Sequence, residues 1–280
     1  MKPKSLILDL LSAADPTPLP TAIFLKAARI FHLKENTVRV TLNRLVSAGT
    51  LDARGAGSRR RHTLSRRSRL LNRHILAAQT MRPRAWNGAW ITVIAWAPGV
   101  ERRKRDRFRE ALRVLKLGNL RPGVWVRPDN LDLSLDQVLG EYGFEEEVIW
   151  TEGPLRHGRP DAEVARSLFP LERHSKTIAQ ARRDLEASLA RLPTLSEERA
   201  LAETFTVGGR AIKALFEDPL LPRELLPAGW LGEELRKTFA RYDRIGRAYW
   251  GRALSITLGA RPAPAIGARL HSPAPLLARE

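Results

Sequence analysis

The 280-residue chain has no cysteine. A disulfide framework, a thiolate zinc site, an iron–sulfur cluster and a cysteine nucleophile are therefore excluded. Long apolar runs are missing as well. The longest stretch without a charged residue, 85–100, is interrupted by Asn87, Gly88, Pro98 and Gly99, whereas a membrane helix needs about 20 apolar residues. Near the N-terminus, Asp9 breaks the run that begins at Ser5 before it reaches the length of a signal-peptide core. These features point to a cytoplasmic protein with no membrane partner. The six histidines, His32, His62, His74, His157, His174 and His271, form no short-spaced pair, so no metal site is expected. A Gly-x-Ser-x-Gly elbow and a phosphate-binding Walker loop are also lacking. Glu145-Glu146-Glu147 is a carboxylate run, but at the start of a strand its members alternate faces and read as solvated charge. No catalytic residue is assigned.

What the chain does have is ordinary hydrophobic content, 43%, and an uneven charge. The length suits two or three domains at roughly 100–200 residues each. Lys and Arg number 48 against 30 acidic residues, a net +18, and 39 of the 48 are Arg. Residues 1–85 hold 17 basic and only 4 acidic residues, so this segment alone carries +13. A basic module attached to a nearly neutral body is the footprint of a polyanion partner.

The first 80 residues have the organisation to use that charge. Ser5–Ala14 has helical periodicity and is stopped by the proline-rich segment 15–20. Thr21–Phe31 forms a second helix. A third is expected from Asn36 as N-cap to Ala48, ended by Gly49. Val38, Leu42, Leu45 and Val46 make its core stripe, leaving Asn36, Thr37, Arg39, Val40, Asn43, Arg44 and Ser47 outward or on the flanks. Asn and Arg can make paired hydrogen bonds to base edges, and Thr and Val can touch a thymine methyl. Leu51–Arg54 and Arg59–Leu64 then read as strands of a hairpin turning at Gly55-Ala56-Gly57-Ser58. Arg59, Arg60 and Arg61 lie beside its tip. Alone they would read as a solvated strand; after such a helix they complete a winged helix-turn-helix plan, with the third helix in the major groove and the basic hairpin on phosphates or in the minor groove.

A basic helix over 65–79 and a linker at Arg82-Pro83-Arg84 lead into residues 82–155. Strands are expected at 89–96, 123–127 and 146–150, with helices at 101–117 and 131–142. Alternation of this kind suggests a small ferredoxin-like α/β unit. Residues 156–257 read as a helical domain, with helices at 168–192, 197–216 and from 230 or 232 to 256. Its aromatic residues suit a dimer interface, an acyl pocket or plain core packing. The proline-rich segment 258–280 reads as a mobile tail. The fold class expected is α+β.

Several separated blocks carry a family likeness. Val38-Arg39-x-x-Leu42-x-Arg44-Leu45 and Gly49-x-Leu51 come first. Trp86-Asn87-Gly88-x-Trp90, an Arg-rich helix and Leu120-x-Pro122-Gly123-Val124-Trp125 follow. The last is Asp218-Pro219-x-Leu221-Pro222-x-x-Leu225-Leu226-Pro227-x-x-Trp230-x-Gly232. Together they span about residues 1–250 and resemble the PaaX family, repressors of phenylacetate catabolism. The resemblance implies a homodimer on double-stranded DNA. It further implies release by an aryl-coenzyme A thioester such as phenylacetyl-CoA, an effector rather than a cofactor, whose contacting residues the sequence does not assign. Two departures stand out. Trp96 occupies the place where many members carry an aspartate two residues before a proline, a position that related metal-dependent endonucleases use. Leu168-Phe169-Pro170-Leu171-Glu172 stands where the family commonly shows Trp-Asp-Leu. The competing readings are a metal-dependent nucleic-acid-processing enzyme, disfavoured by Trp96, and a nonspecific basic nucleic-acid-binding protein.

Overall fold

A computed structural model describes residues 1–95 and 101–255; Trp96 and the segment 258–280 lie outside the described residues. The fold is α+β, with ten helices and two small antiparallel sheets among the described residues. The chain packs as two units. The first comprises residues 1–81, 170–219 and 227–255, and the second comprises 82–169 and 220–226.

In the first unit, α1 (Pro3–Ala14), β1 (Leu19–Pro20), α2 (Thr21–Ile30) and α3 (Glu35–Ser47) precede a hairpin of β2 (Leu51–Arg54) and β3 (Arg61–Leu64), followed by α4 (Arg66–Ala78). The periodic apolar residues set the packing: Leu6, Leu10, Phe24, Ala27, Val38, Leu42 and Leu45 are all buried in one core. Asn36 is not the N-cap expected of it. Lys34 holds that position and Asn36 lies inside the helix, because Glu35 already adopts helical geometry and is held by Arg29 at 3.0 Å. Gly49 ends the helix as expected, at φ +67°, with Thr50 N donating to Leu45 O at 2.9 Å; a side chain there would be strained. The sheet order is β1-β3-β2. The hairpin turns through a 3-10 segment, Gly57–Arg59, so Arg59 belongs to the turn and the second strand begins only at Arg61.

The C-terminal helices α8 (Leu171–Arg191), α9 (Glu197–Glu217) and α10 (Gly232–Leu254) belong to the same unit. The single helix expected over 168–192 is broken at Phe169-Pro170, where extended Phe169 caps a separate helix and proline cannot continue it. Ile178, Leu185, Val207, Leu215, Leu235, Phe239 and Tyr242 form their core. Tyr242 is buried, meets Ser188 Oγ at 2.8 Å, and burial pushes its hydroxyl up to about 12. A second contact joins these helices to the N-terminal module: Leu201, Trp250 and Leu254 enter the core of α1–α3. There Phe31 stacks on Trp250 with ring centroids 6.2 Å apart, and Phe205 meets both rings.

The second unit runs β4 (Ala89–Ala95), α5 (Arg102–Val114), β5 (Gly118–Arg121), β6 (Val124–Pro128), α6 (Leu135–Tyr142), β7 (Val148–Pro154) and α7 (Asp161–Leu168). Its antiparallel sheet has the order β5-β6-β4-β7. Strand β5 is an addition to the three strands expected; its Gly-Asn start and its position at the sheet edge hide it from a periodicity argument. Phe108, Leu112 and Leu115 are buried, as the pattern of α5 requires. Glu145–Glu147 lie in an exposed turn before β7 rather than in a strand, with Glu147 paired to Lys104.

Candidate nucleic-acid interface

The core stripe of α3 determines what its other side presents. With Val38, Leu42 and Leu45 buried against α1 and α2, Asn36, Thr37, Arg39, Val40, Asn43, Arg44 and Ser47 are all exposed. Val40 is 40% exposed, on the side of the helix away from the core stripe. Arg39 lies 3.9 Å from Glu35, the only acidic residue of the helix. Arg44 has no carboxylate within ion-pair distance among the described residues.

The hairpin stands beside this face. Arg60 Nη1 donates to Asn43 Oδ1 at 3.1 Å, so the hairpin turn and the helix meet through a side-chain contact. Arg59 and Arg61 are exposed. The pairing register sets Arg54 directly opposite Arg61, a like-charge cross-strand pair that costs stability in the free protein. Arg54 is a member of this basic surface that the sequence pattern did not single out; the hairpin register, once counted back from the glycine turn, would have found it. Arg66 and Arg67, both exposed, continue the basic sequence into the first turn of α4. Tight geometry holds the tip: a Cβ on Gly55, at φ +78°, would lie 3.0 Å from Arg59 O.

Behind the tip, His62 is 1% exposed and packs edge-on against Phe24 with centroids 5.8 Å apart. Its Nε2 lies 3.1 Å from Thr21 Oγ1, and Nδ1 has no hydrogen-bond partner. Burial, reinforced by the nearby Arg60 charge, holds the imidazole below its ordinary range. The hairpin base is thus built around a neutral ring. Nothing comparable gathers on a metal: among the described residues, no group of three or more His, Asp or Glu side chains is placed to hold one. No helix among them is long and apolar enough to cross a membrane.

Comparison with known proteins places the rest of the chain. Residues 83–165 match the PaaX protein central Cas2-like domain, and residues 170–249 match the PaaX-like protein C-terminal domain. The chain belongs to the PaaX family. It is 28% identical over 242 residues to the transcriptional repressor PaaX of Escherichia coli (strain K12), covering 82% of this chain and 76% of that protein. The solved structure of the uncharacterized protein Rv0674 from Mycobacterium tuberculosis superposes with a TM-score of 0.58 at 28% identity, covering 89% of this chain and 97% of that one.

Two of the PaaX-like blocks beyond residue 82 make packing contacts. Trp86 Nε1 donates to Ala89 O at 2.6 Å, and Asn87 Oδ1 accepts from Ala89 N at 3.0 Å. Trp90 Nε1 reaches Asp161 at 3.1 Å, so this block ties the start of β4 to α7. In the far block, Asp218 and Arg236 form a buried pair at 2.6 Å. A Cβ on Gly232 would fall 2.6 Å from Asp218 Oδ2 and 2.8 Å from Trp230 Nε1, leaving no room for any other residue. Both matched segments lie beyond residue 82, whereas the exposed α3 face and the basic hairpin lie before it.

Proposed function

We propose that this chain is a sequence-specific DNA-binding transcriptional regulator, a repressor that occupies double-stranded DNA as a homodimer. The observation that carries the reading is the outer face of α3: Asn, Arg, Thr and Val side chains exposed along three turns, beside a hairpin whose arginines have few carboxylates to neutralise them. Helices α1–α3 followed by the β2–β3 hairpin support a winged helix-turn-helix reading. In it α3 enters the major groove, with Asn36, Thr37, Arg39, Val40, Asn43, Arg44 and Ser47 toward the bases, while Arg59 and Arg61 take phosphates. The name of the Escherichia coli relative supports repression. We read residues 1–80 as the DNA-binding domain, 82–155 as the central domain and 156–257 as the helical domain.

The strand order β5-β6-β4-β7 with two crossover helices supports a ferredoxin-like central domain. Strand β7 supports the dimer. It is an edge strand, Ile149 on it is 73% exposed, and it runs from the acidic turn Glu145–Glu147 to a loop bearing Arg156 and Arg159. Two copies pairing antiparallel along this edge bring opposite charges together. The family resemblance supports an aromatic-acid, phenylacetate-like operon as the target and an aryl-CoA thioester as the releasing effector. The reading requires no bond-making chemistry, and the protein acts in the cytoplasm as a regulator rather than an enzyme.

Fluorescence anisotropy tests it. Duplexes from upstream of the protein's own and neighbouring genes are titrated beside scrambled duplexes at one salt concentration. The expected preference is about a thousandfold or more. Equal affinity for all duplexes would favour a nonspecific binder, and no binding would reject the DNA partner. Phenylacetyl-CoA is then expected to release the specific complex.

A further inference from the structure

The contact between hairpin and helix has its own chemistry. Arg60 Nη1 donates to Asn43 Oδ1 at 3.1 Å. A guanidinium carries donors and no acceptor, so the amide atom facing it must be the carbonyl oxygen. The Asn43 nitrogen therefore turns away from the hairpin. Arg60 is itself launched from a fixed point. Its carbonyl accepts from Thr21 N at 3.2 Å and from Thr21 Oγ1 at 3.4 Å, and its N–H donates to Gly57 O at 3.3 Å. It is half-buried, whereas Arg59 and Arg61 on either side of it are exposed. Asn43 sits in the middle of the outward face of α3, with Arg39, Val40, Arg44 and Ser47 around it.

An unconstrained asparagine presents its amide in either of two flips. Base edges are read by the order of donor and acceptor, and the paired contact to adenine needs the nitrogen on N7 and the oxygen on N6. A residue that selects one flip therefore selects which edge asparagine can match, and removes the disorder that binding would otherwise have to quench.

We infer that Arg60 is a positioning residue that fixes the Asn43 amide, so that base discrimination at the Asn43 position belongs to the hairpin–helix pair and not to Asn43 alone. This rests on the DNA-reading function proposed above. It also separates Arg60 from its two neighbours: Arg59 and Arg61 serve phosphates, while Arg60 acts through Asn43.

The test is a panel of duplexes carrying every single-base-pair substitution in a cognate half-site, titrated at several salt concentrations. The full-length proteins compared are wild type, Arg60→Ala, Arg60→Lys, Asn43→Ala, the Arg60→Ala/Asn43→Ala double variant and Arg61→Ala, with thermal melts checking that each is folded. Arg60→Ala and Asn43→Ala are expected to flatten preference at the same base pair by about tenfold, and the double variant to lose no more than either single one. Arg60→Lys, which keeps a donor toward Oδ1, recovers part of that preference. Arg60→Ala leaves the slope of log affinity against log salt unchanged, while Arg61→Ala reduces it by about 0.9 and weakens all sequences alike. A uniform loss on Arg60→Ala, with a reduced slope and effects additive to those of Asn43→Ala, would make Arg60 a phosphate anchor and overturn the inference. A wild-type protein with no base preference at any position would instead defeat the DNA-reading function itself.

Discussion

His62 shows how much one side chain can set. Its ring is enclosed between Phe24 and Thr21 with Nδ1 unpartnered, and burial lowers its pKa from the ordinary value of 6.5. The folded state therefore favours the neutral ring and the unfolded state binds the proton more readily. The contribution to stability is complete above about pH 6.5 and is lost as pH falls from there toward the folded-state value. Thermal melts between pH 7.5 and 5 are expected to show wild type losing stability relative to His62→Gln, and parallel curves would refute this. Arg44 makes the complementary case at the surface. It has no carboxylate to hold it among the described residues, and Arg44→Ala is expected to weaken a cognate site by about 1–3 kcal/mol while sparing random DNA. Equal losses on both, read by anisotropy, would reduce Arg44 to a phosphate contact. Neither environment is written in the sequence: the outward position of Arg44 follows from helical spacing, but the burial of His62 depends on a strand register that spacing does not fix.

At the level of elements, the apolar periodicity of α1, α2, α3, α5 and α10 made those helices legible, because a stripe recurring every three or four residues has one way to be buried. What escaped was set by strand pairing and by a single proline, neither of which a periodicity argument registers. Strand β5 exists because β6 pairs with it, and α7 separates from α8 because proline falls between them. The exposed α3 face was legible for the same reason as its core stripe, whereas the Arg54–Arg61 pairing and the Arg60–Asn43 contact needed the hairpin's register. The β7 edge gives an elemental prediction. In the dimer proposed along β7, Ile149→Lys places a like charge on each copy at the two-fold contact, and is expected to weaken self-association about tenfold or more in sedimentation equilibrium. An unchanged dimer would move the interface elsewhere.

The molecule as a whole is not built in chain order. Residues 1–81 share a unit with 170–219 and 227–255, and 82–169 is inserted between them in the chain. The joint is the core in which Phe31, Phe205, Leu201, Leu254 and Trp250 meet, where Trp250 Nε1 also donates to Leu201 O at 3.2 Å. Trp250→Ala removes the largest ring of that joint and is expected to destabilise the unit by about 3–5 kcal/mol. Urea unfolding followed by far-ultraviolet circular dichroism measures it, and a loss below about 1 kcal/mol would show that the joint is not structural. Composition and periodicity could not show this arrangement, since each segment reads as self-sufficient until its apolar surplus is seen to be shared.

That joint also sets a clock. A ribosome makes Phe31 long before Trp250, and at about 5–20 residues per second the nascent module waits on the order of ten seconds or more for the rings that complete its core. Until the last helix emerges, the surface proposed to read DNA is carried by an unfinished scaffold. Chains interrupted before residue 250 lack the joint, so the last helix must be made before the proposed DNA-binding module rests on a finished core.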